Sequence, residues 1–287
     1  MSQGRFGAHM SIAGGHHNAV SAALKVGCDT FQVFTKGNQQ WAAAPLSDAM
    51  ADQFKADMVA GGLSLKPVGH TSYLINLASP DPVTRGKSIK ALMDEILRAE
   101  KLGLSDLVMH PGAHMNEGVA AGVGRINDAL DEVHKATAGV KVRVALETTA
   151  GQGTSIGCEL EHLQMICEGV AEPERLTICV DTCHVFAAGY ELDPADSYDA
   201  WTDLLEKTVG IDRVKLWHIN DSVKKLGSRV DRHAGIGRGL IPMPVFERVV
   251  NDARFRACPM ILETPKGEED GRDLDSINLE ILRSLVR

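Results

Sequence analysis

Nine side chains able to ligate metals or carry protons stand at the ends of short β-rich runs in this chain or in the segments that follow them. His70 closes the β-rich run 66–70, and His110 closes the run 106–110 inside His-Pro-Gly-Ala-His. Glu147 lies near the end of 142–148, ahead of Thr-Thr-Ala-Gly-Gln-Gly. Asp181 lies in 176–182, and His184 follows one turn later. His218 opens His-Ile-Asn-Asp in 214–220, Glu263 lies in 259–264, and Asp231 and His233 share the loop between these last two runs. Singly, each has an ordinary role: a strand-end histidine hydrogen-bonds locally, and an acid after a strand caps a helix. Jointly they do not. If the runs are strands converging on one face, five imidazoles and four carboxylates meet there. Burying that set without cations costs too much free energy. Nitrogen and oxygen donors without thiolate suit Zn²⁺, with Mn²⁺ or Fe²⁺ as alternatives.

The elements that must position these residues alternate along the chain. Strands are predicted at 6–10, 30–35, 66–70, 106–110, 142–148, 176–182, 214–220 and 259–264. Most are short runs rich in Val, Ile, Leu or Phe, as buried parallel strands are. The fourth has little β-branching and is placed by position. Helical patterns occupy 18–26, 47–60, 85–102, 118–137, 159–169, 196–209, 244–252 and 274–286. Ser47 before Asp48 supplies an N-cap, and Gly103 stands where a C-cap glycine belongs. This alternation predicts a (β/α)₈ TIM barrel over residues 1–287 as one catalytic domain, with the metal site at the C-terminal face of the strands.

Composition bounds the reading further. Hydrophobic residues make up 44% of the chain, enough for a sizeable core. No apolar run approaches the roughly 18 residues of a membrane span. The first residues, with Arg5 and His9, lack the apolar centre of a secretory signal. A cytoplasmic monomer with no membrane partner is expected. Cys28, Cys158, Cys167, Cys179, Cys183 and Cys258 form no C-x-x-C pair and read as small packing residues, even where two of them flank Asp181. The net charge of −8 at first argues against a polyanionic partner. Three divalent ions would reduce it to about −2, so the local charge distribution decides. His16, His17, His134 and His162 read as surface residues and His114 as a loop residue. His9 reads as a support for the ligands or a substrate contact.

The stretches His70-Thr-Ser-Tyr-Leu-Ile-Asn-Leu, His110-Pro-Gly-Ala-His, Glu147-Thr-Thr-Ala-Gly-Gln-Gly, Asp181-Thr-Cys-His-Val-Phe-Ala-Ala-Gly-Tyr, His218-Ile-Asn-Asp and Gly227-Ser-Arg-Val-Asp-Arg-His resemble the endonuclease IV family of apurinic/apyrimidinic (AP) endonucleases. The resemblance runs from Gly7 to Pro265. It implies three zinc ions per chain, with Mn²⁺ as a possible substitute. His70, His110 and Glu147 would hold the first. Glu147 would bridge to a second, shared with Asp181, His218 and Glu263. His184, Asp231 and His233 would hold the third. Glu147 and Glu263 would also act catalytically by orienting the attacking water, whose pKa a divalent ion lowers towards neutrality. The implied substrate is double-stranded DNA containing abasic sites or blocked 3′ ends. Incision falls 5′ to the lesion and leaves a 3′-hydroxyl and a 5′-deoxyribose phosphate.

The same resemblance makes Tyr73 a wedge entering the base stack. It makes the loop 36–41 a second penetrating element. There Gln39 stands where the family commonly has an arginine, so one positive charge is lost. Arg229 and Arg232 bracket Asp231 in a basic loop with Lys224, Lys225 and Arg238, where a phosphate would pass. Two rival readings share the barrel. A sugar isomerase or epimerase would run on one or two ions without the third donor set. A catalytically dead DNA-damage binder would need no such ligands.

Overall fold

The computed structural model describes residues 5–63 and 65–287. Eight strands, β1 (Phe6–Met10), β2 (Thr30–Phe34), β3 (Val68–His70), β4 (Asp106–Met109), β5 (Arg143–Glu147), β6 (Leu176–Asp181), β7 (Val214–His218) and β8 (Met260–Leu262), form a closed barrel. Neighbours pair in parallel in chain order, and β1 pairs with β8, so no edge is left open. Around it lie α1 (His16–Val26), α2 (Asp48–Ala60), α3 (Pro82–Leu102), α4 (Val119–Ala136), α5 (Leu160–Gly169), α6 (Thr182–Ala188), α7 (Ala195–Thr208), α8 (Met243–Asn251) and α9 (Leu274–Ser284). The expected TIM barrel is the fold the chain adopts. No helix among the described residues is long and apolar enough to cross a membrane. All six cysteines are buried and unpaired.

Differences from the sequence reading have local causes. β3 and β8 begin one residue after Pro67 and Pro259, because proline has no N–H to give the ladder. α3 starts at Pro82, earlier than expected. Asp81 caps it by accepting from the Val83 and Thr84 amides, and Pro82 fits the first turn. α6 was not anticipated. Asp181 ends β6 and also N-caps this short helix, its Oδ1 accepting from the His184 amide at 2.9 Å.

Strand alternation explains where the mouth residues point. Val68, Val108, Ala145, Cys179, Leu216 and Ile261 form a fully buried apolar layer inside the barrel. Two residues beyond each of them stand His70, His110, Glu147, Asp181, His218 and Glu263. Side chains in a strand repeat with period two, so all six project inward, one layer above that floor. On β1 the barrel closes tightly. A Cβ on Gly7 would sit 2.0 Å from the Thr30 carbonyl oxygen, so only glycine fits.

The loop after β7 needs its own anchor. It contains a two-stranded ribbon pairing Asp221–Ser222 with His233–Ala234. The buried Asp221 carboxylate accepts from the amides of Ser222 (2.7 Å), Gly239 (2.8 Å) and Ile241 (3.0 Å). That bonding holds the ribbon, and with it Asp231 and His233, over the mouth.

Candidate metal centre

The nine donors come together. His70, His110 and Glu147 form one group, Glu147, Asp181, His218 and Glu263 a second, and His184, Asp231 and His233 a third; within each group the donor atoms lie within 4.8 Å of one another. Glu147 is shared by the first two. Its Oε2 faces His110 Nε2 at 2.9 Å and His70 Nε2 at 3.3 Å, and its Oε1 faces His218 Nδ1 at 2.8 Å. His218 Nδ1 also lies 3.2 Å from Glu263 Oε2. In the third group Asp231 reaches His184 Nε2 at 3.1 Å and His233 Nε2 at 3.2 Å.

Outer bonds set the tautomers. His70 Nδ1 donates to the Thr71 carbonyl at 2.8 Å, His184 Nδ1 to the Thr148 carbonyl at 2.8 Å, and His233 Nδ1 to the Glu263 carbonyl at 3.2 Å. In each ring, once neutral, the other nitrogen therefore carries the lone pair and is turned to the centre. This is the way ligating histidines are oriented. His184 Nε2 and His233 Nε2 are shielded from solvent and make no well-formed hydrogen bond. Two such lone pairs converging with a carboxylate are a cation's donor set. By this test the residues fit divalent metal.

Three residues outside the sequence reading complete the frame. Gln32, fully buried on β2, donates through Nε2 to Glu263 Oε1 at 2.6 Å and accepts from His218 Nε2 at 2.9 Å. Asn220 donates to Asp181 Oδ2 and accepts from the Glu263 amide, both at 2.7 Å. Thr148 Oγ1 accepts from the Asp181 amide at 2.9 Å. A lone amide in the otherwise apolar run Phe-Gln-Val-Phe was the available signal for Gln32. His9 accepts from Gln32 Nε2 at 2.9 Å and lies 3.5 Å from Glu263 Oε1, beside the ligand set.

The electrostatics are those of mixed charge in a buried site. Burial alone would raise the Glu147 carboxyl, but His218 and His110 hold it well below the usual carboxylate range. Burial likewise opposes ionisation of Asp231, and His184 and His233 overcome it. Burial would lower His233, yet Asp181 and Asp231 raise it to about 9. Cys179 and Cys183 lie close enough to these groups to join them, but burial pushes both thiols up to about 12. They stay protonated packing residues.

Around the mouth, Tyr73 is 56% exposed although its ring touches Phe34, His70 and His110. Gln39 is exposed on the neighbouring loop. A cleft of about 380 Å³ opens between Tyr73, His110, Gln152, Asp231 and Arg232. Arg232 and Arg229 are both exposed. Arg229 adopts φ 52° and directs Nη1 to Cys158 Sγ at 3.6 Å, while Arg232 Nη1 donates to its neighbour's carbonyl at 3.0 Å. Arg238 instead pairs with Glu269, Nη1 lying 3.0 Å from its Oε1. Three histidine assignments need correction. His16, His134 and His162 are buried, at 7%, 1% and 7% exposure, because each lies on the inward face of its helix. Only His17 of that set is exposed.

A closed parallel barrel with histidines and carboxylates at its C-terminal mouth defines a class, and the profile of the xylose isomerase-like TIM barrel family matches residues 20–285. Within that class the chain belongs to the endonuclease IV family. It is 48% identical over 283 residues to the probable endonuclease 4 of Chloroflexus aggregans, covering 99% of this chain and 98% of the relative. The probable endonuclease 4 of Geotalea daltonii is 44% identical, over 98% of each chain. Endonuclease IV from Thermus thermophilus superposes with a TM-score of 0.85 at 36% identity, over 98% of each chain. A D-tagatose 3-epimerase-like protein, with a TM-score of 0.70 at 18% identity over 98% and 96% of the two chains, shares the fold alone.

Proposed function

We propose that this protein is a metal-dependent deoxyribonuclease that hydrolyses the phosphodiester 5′ to abasic sites in double-stranded DNA and trims blocked 3′ ends. The observation that carries this reading is the nine-donor mouth, three of whose imidazoles have their far nitrogens tied back to carbonyl oxygens. Three zinc ions fit the three groups, the first at His70, His110 and Glu147, the second at Glu147, Asp181, His218 and Glu263, and the third at His184, Asp231 and His233. Mn²⁺ suits the same donors. When bound, such ions act as Lewis acids and lower the pKa of water towards neutrality.

The chain's own residues divide the remaining work. Glu147 has no exposed side-chain surface and would serve to hold metal. Glu263 is 12% exposed, so of these two glutamates it is the one that an incoming water can reach and be oriented by. Gln32 and Asn220 fix Glu263 from both ends. Tyr73 and Gln39 face the duplex, and Arg229 and Arg232 receive its backbone phosphates. The products would be a 3′-hydroxyl and a 5′-deoxyribose phosphate. The test is product-end analysis on a duplex carrying one abasic site. A polymerase should extend the new 3′ end directly. A covalent protein–DNA adduct trapped by borohydride would mark a Schiff-base lyase instead and end this assignment.

Stability should report the same cations. In stripped protein His233 has a folded pKa of about 9, raised above its ordinary 6.5. Its contribution is therefore fully present below the unfolded value and lost as pH rises through the folded one. In loaded protein, deprotonated imidazoles bind metal better as pH rises. The difference in Tm between loaded and chelator-stripped protein should widen from about pH 6.5 to about 9. A constant or shrinking gap in thermal unfolding would contradict the metal assignment.

A further inference from the structure

The two loops that carry Tyr73 and Gln39 are tied to one buried carboxylate. Glu95, on α3, is fully buried. Both its oxygens accept from the Ser72 amide at 3.2 Å, and Oε2 also accepts from Thr35 Oγ1 at 3.1 Å. Its Oε1 lies 3.4 Å from Lys36 Nζ. Lys36 is itself only 4% exposed, and its ammonium donates to Asp94 at 3.2 Å and to the Trp41 carbonyl at 3.3 Å. Ser72 immediately precedes Tyr73, and Lys36 opens the loop that carries Gln39.

The loops also meet directly. Ser72 Oγ donates to the Asn38 carbonyl at 2.7 Å, and the Tyr73 amide donates to the same oxygen at 3.2 Å. Further along α3, Arg98 donates to the carbonyls of Ala43 and Ala44, and Lys101 to that of Leu46. The irregular segment 35–46 is thus gripped by polar side chains from successive turns of one helix. A buried ion pair is costly to desolvate and gives little net stability over an apolar pair. What this one does provide is geometry, because it reaches backbone and side chains of two loops at once. Among the described residues neither Glu95 nor Lys36 bonds to any of the nine mouth donors.

We propose that Glu95 and Lys36 are positioning residues for DNA recognition: their buried pair locks the Gln39 loop to the Tyr73 loop, so that both meet the duplex as one preformed edge. The proposal rests on the reading of Tyr73 and Gln39 as DNA-facing residues. A preformed edge avoids the ordering cost that a mobile loop would meet on binding.

The test uses the metal-loaded protein and the variant Glu95→Gln, which keeps shape but removes the charge. Without DNA, amide exchange in segments 36–41 and 71–75 should accelerate together, by about tenfold or more, as local opening becomes easier. Metal content should stay at the parent value. On a duplex with one abasic analogue, KM should rise about tenfold with little change in kcat, the pattern of lost binding rather than lost chemistry. Exchange that is unchanged, or faster in one segment only, overturns the proposal. So does a loss of metal, or a fall in kcat at unchanged KM. If Glu95→Gln does not fold, Thr35→Val, which keeps the shape but removes the hydroxyl that donates to Glu95 Oε2 at 3.1 Å, decides by the same exchange comparison. If the parent itself ignores DNA, the functional reading fails, and the exchange result still decides whether the two loops are coupled.

Discussion

Glu263→Gln is expected to fold, to bind abasic duplex and to lose at least ~10²-fold in kcat, the scale of a positioned acid–base group. The geometry explains the separation. Glu263 Oε1 accepts from Gln32 Nε2 at 2.6 Å, and its amide donates to Asn220 at 2.7 Å. The variant's remaining carbonyl oxygen can keep the Gln32 bond, so the side chain should hold its place. Its charge is gone, and with it the anionic oxygen that lies 3.2 Å from His218 Nδ1 and would orient water at the mouth. Binding should be unimpaired and slightly tighter, because the mouth becomes more positive. The loss should appear in kcat rather than KM, since the interaction matters mainly in the transition state. Single-turnover cleavage beside a binding titration separates the two. A variant that cleaves within a few-fold of the parent while binding normally would move the role to Glu147 or to metal alone.

His233→Ala should remove one metal per chain and leave the other two. Its Nε2 belongs to the group with His184 and Asp231, and its backbone sits in the ribbon anchored by Asp221. The bonds that orient His70 and His218 involve Thr71 and Gln32, not His233. Loss of a group that merely supports a ligand costs about 10–100-fold in metal affinity, and loss of a ligand at least as much. Elemental analysis after gel filtration should find about three zinc ions in the parent and about two in the variant, and cleavage should fall by at least ~10²-fold. Unchanged metal content in a folded variant would rule out the third site.

The barrel and the gathering of its mouth were legible because two periodicities agree. Short apolar runs alternate with amphipathic ones, and six polar residues stand two positions beyond an inward apolar residue. Less legible was what one residue does twice. Asp181 ends a strand and caps α6, so the short helix was hidden in the strand pattern. His16, His134 and His162 were misplaced because residue type outweighed spacing. His16 precedes Ala19, Val20 and Ala23 on one buried stripe, which places it inward. Buried anchors such as Gln32 and Glu95 act on atoms far away in sequence. Gln32 reaches Glu263 and Glu95 reaches Ser72, and a linear reading does not register such bonds.

The most direct test is cleavage of a duplex bearing one abasic analogue by protein stripped of metal and reloaded with measured zinc. A three-zinc nuclease should make one incision, 5′ to the lesion, absent in excess chelator and restored as zinc content approaches three per chain. Full cleavage in excess chelator, or full activity with a single ion bound, would contradict it.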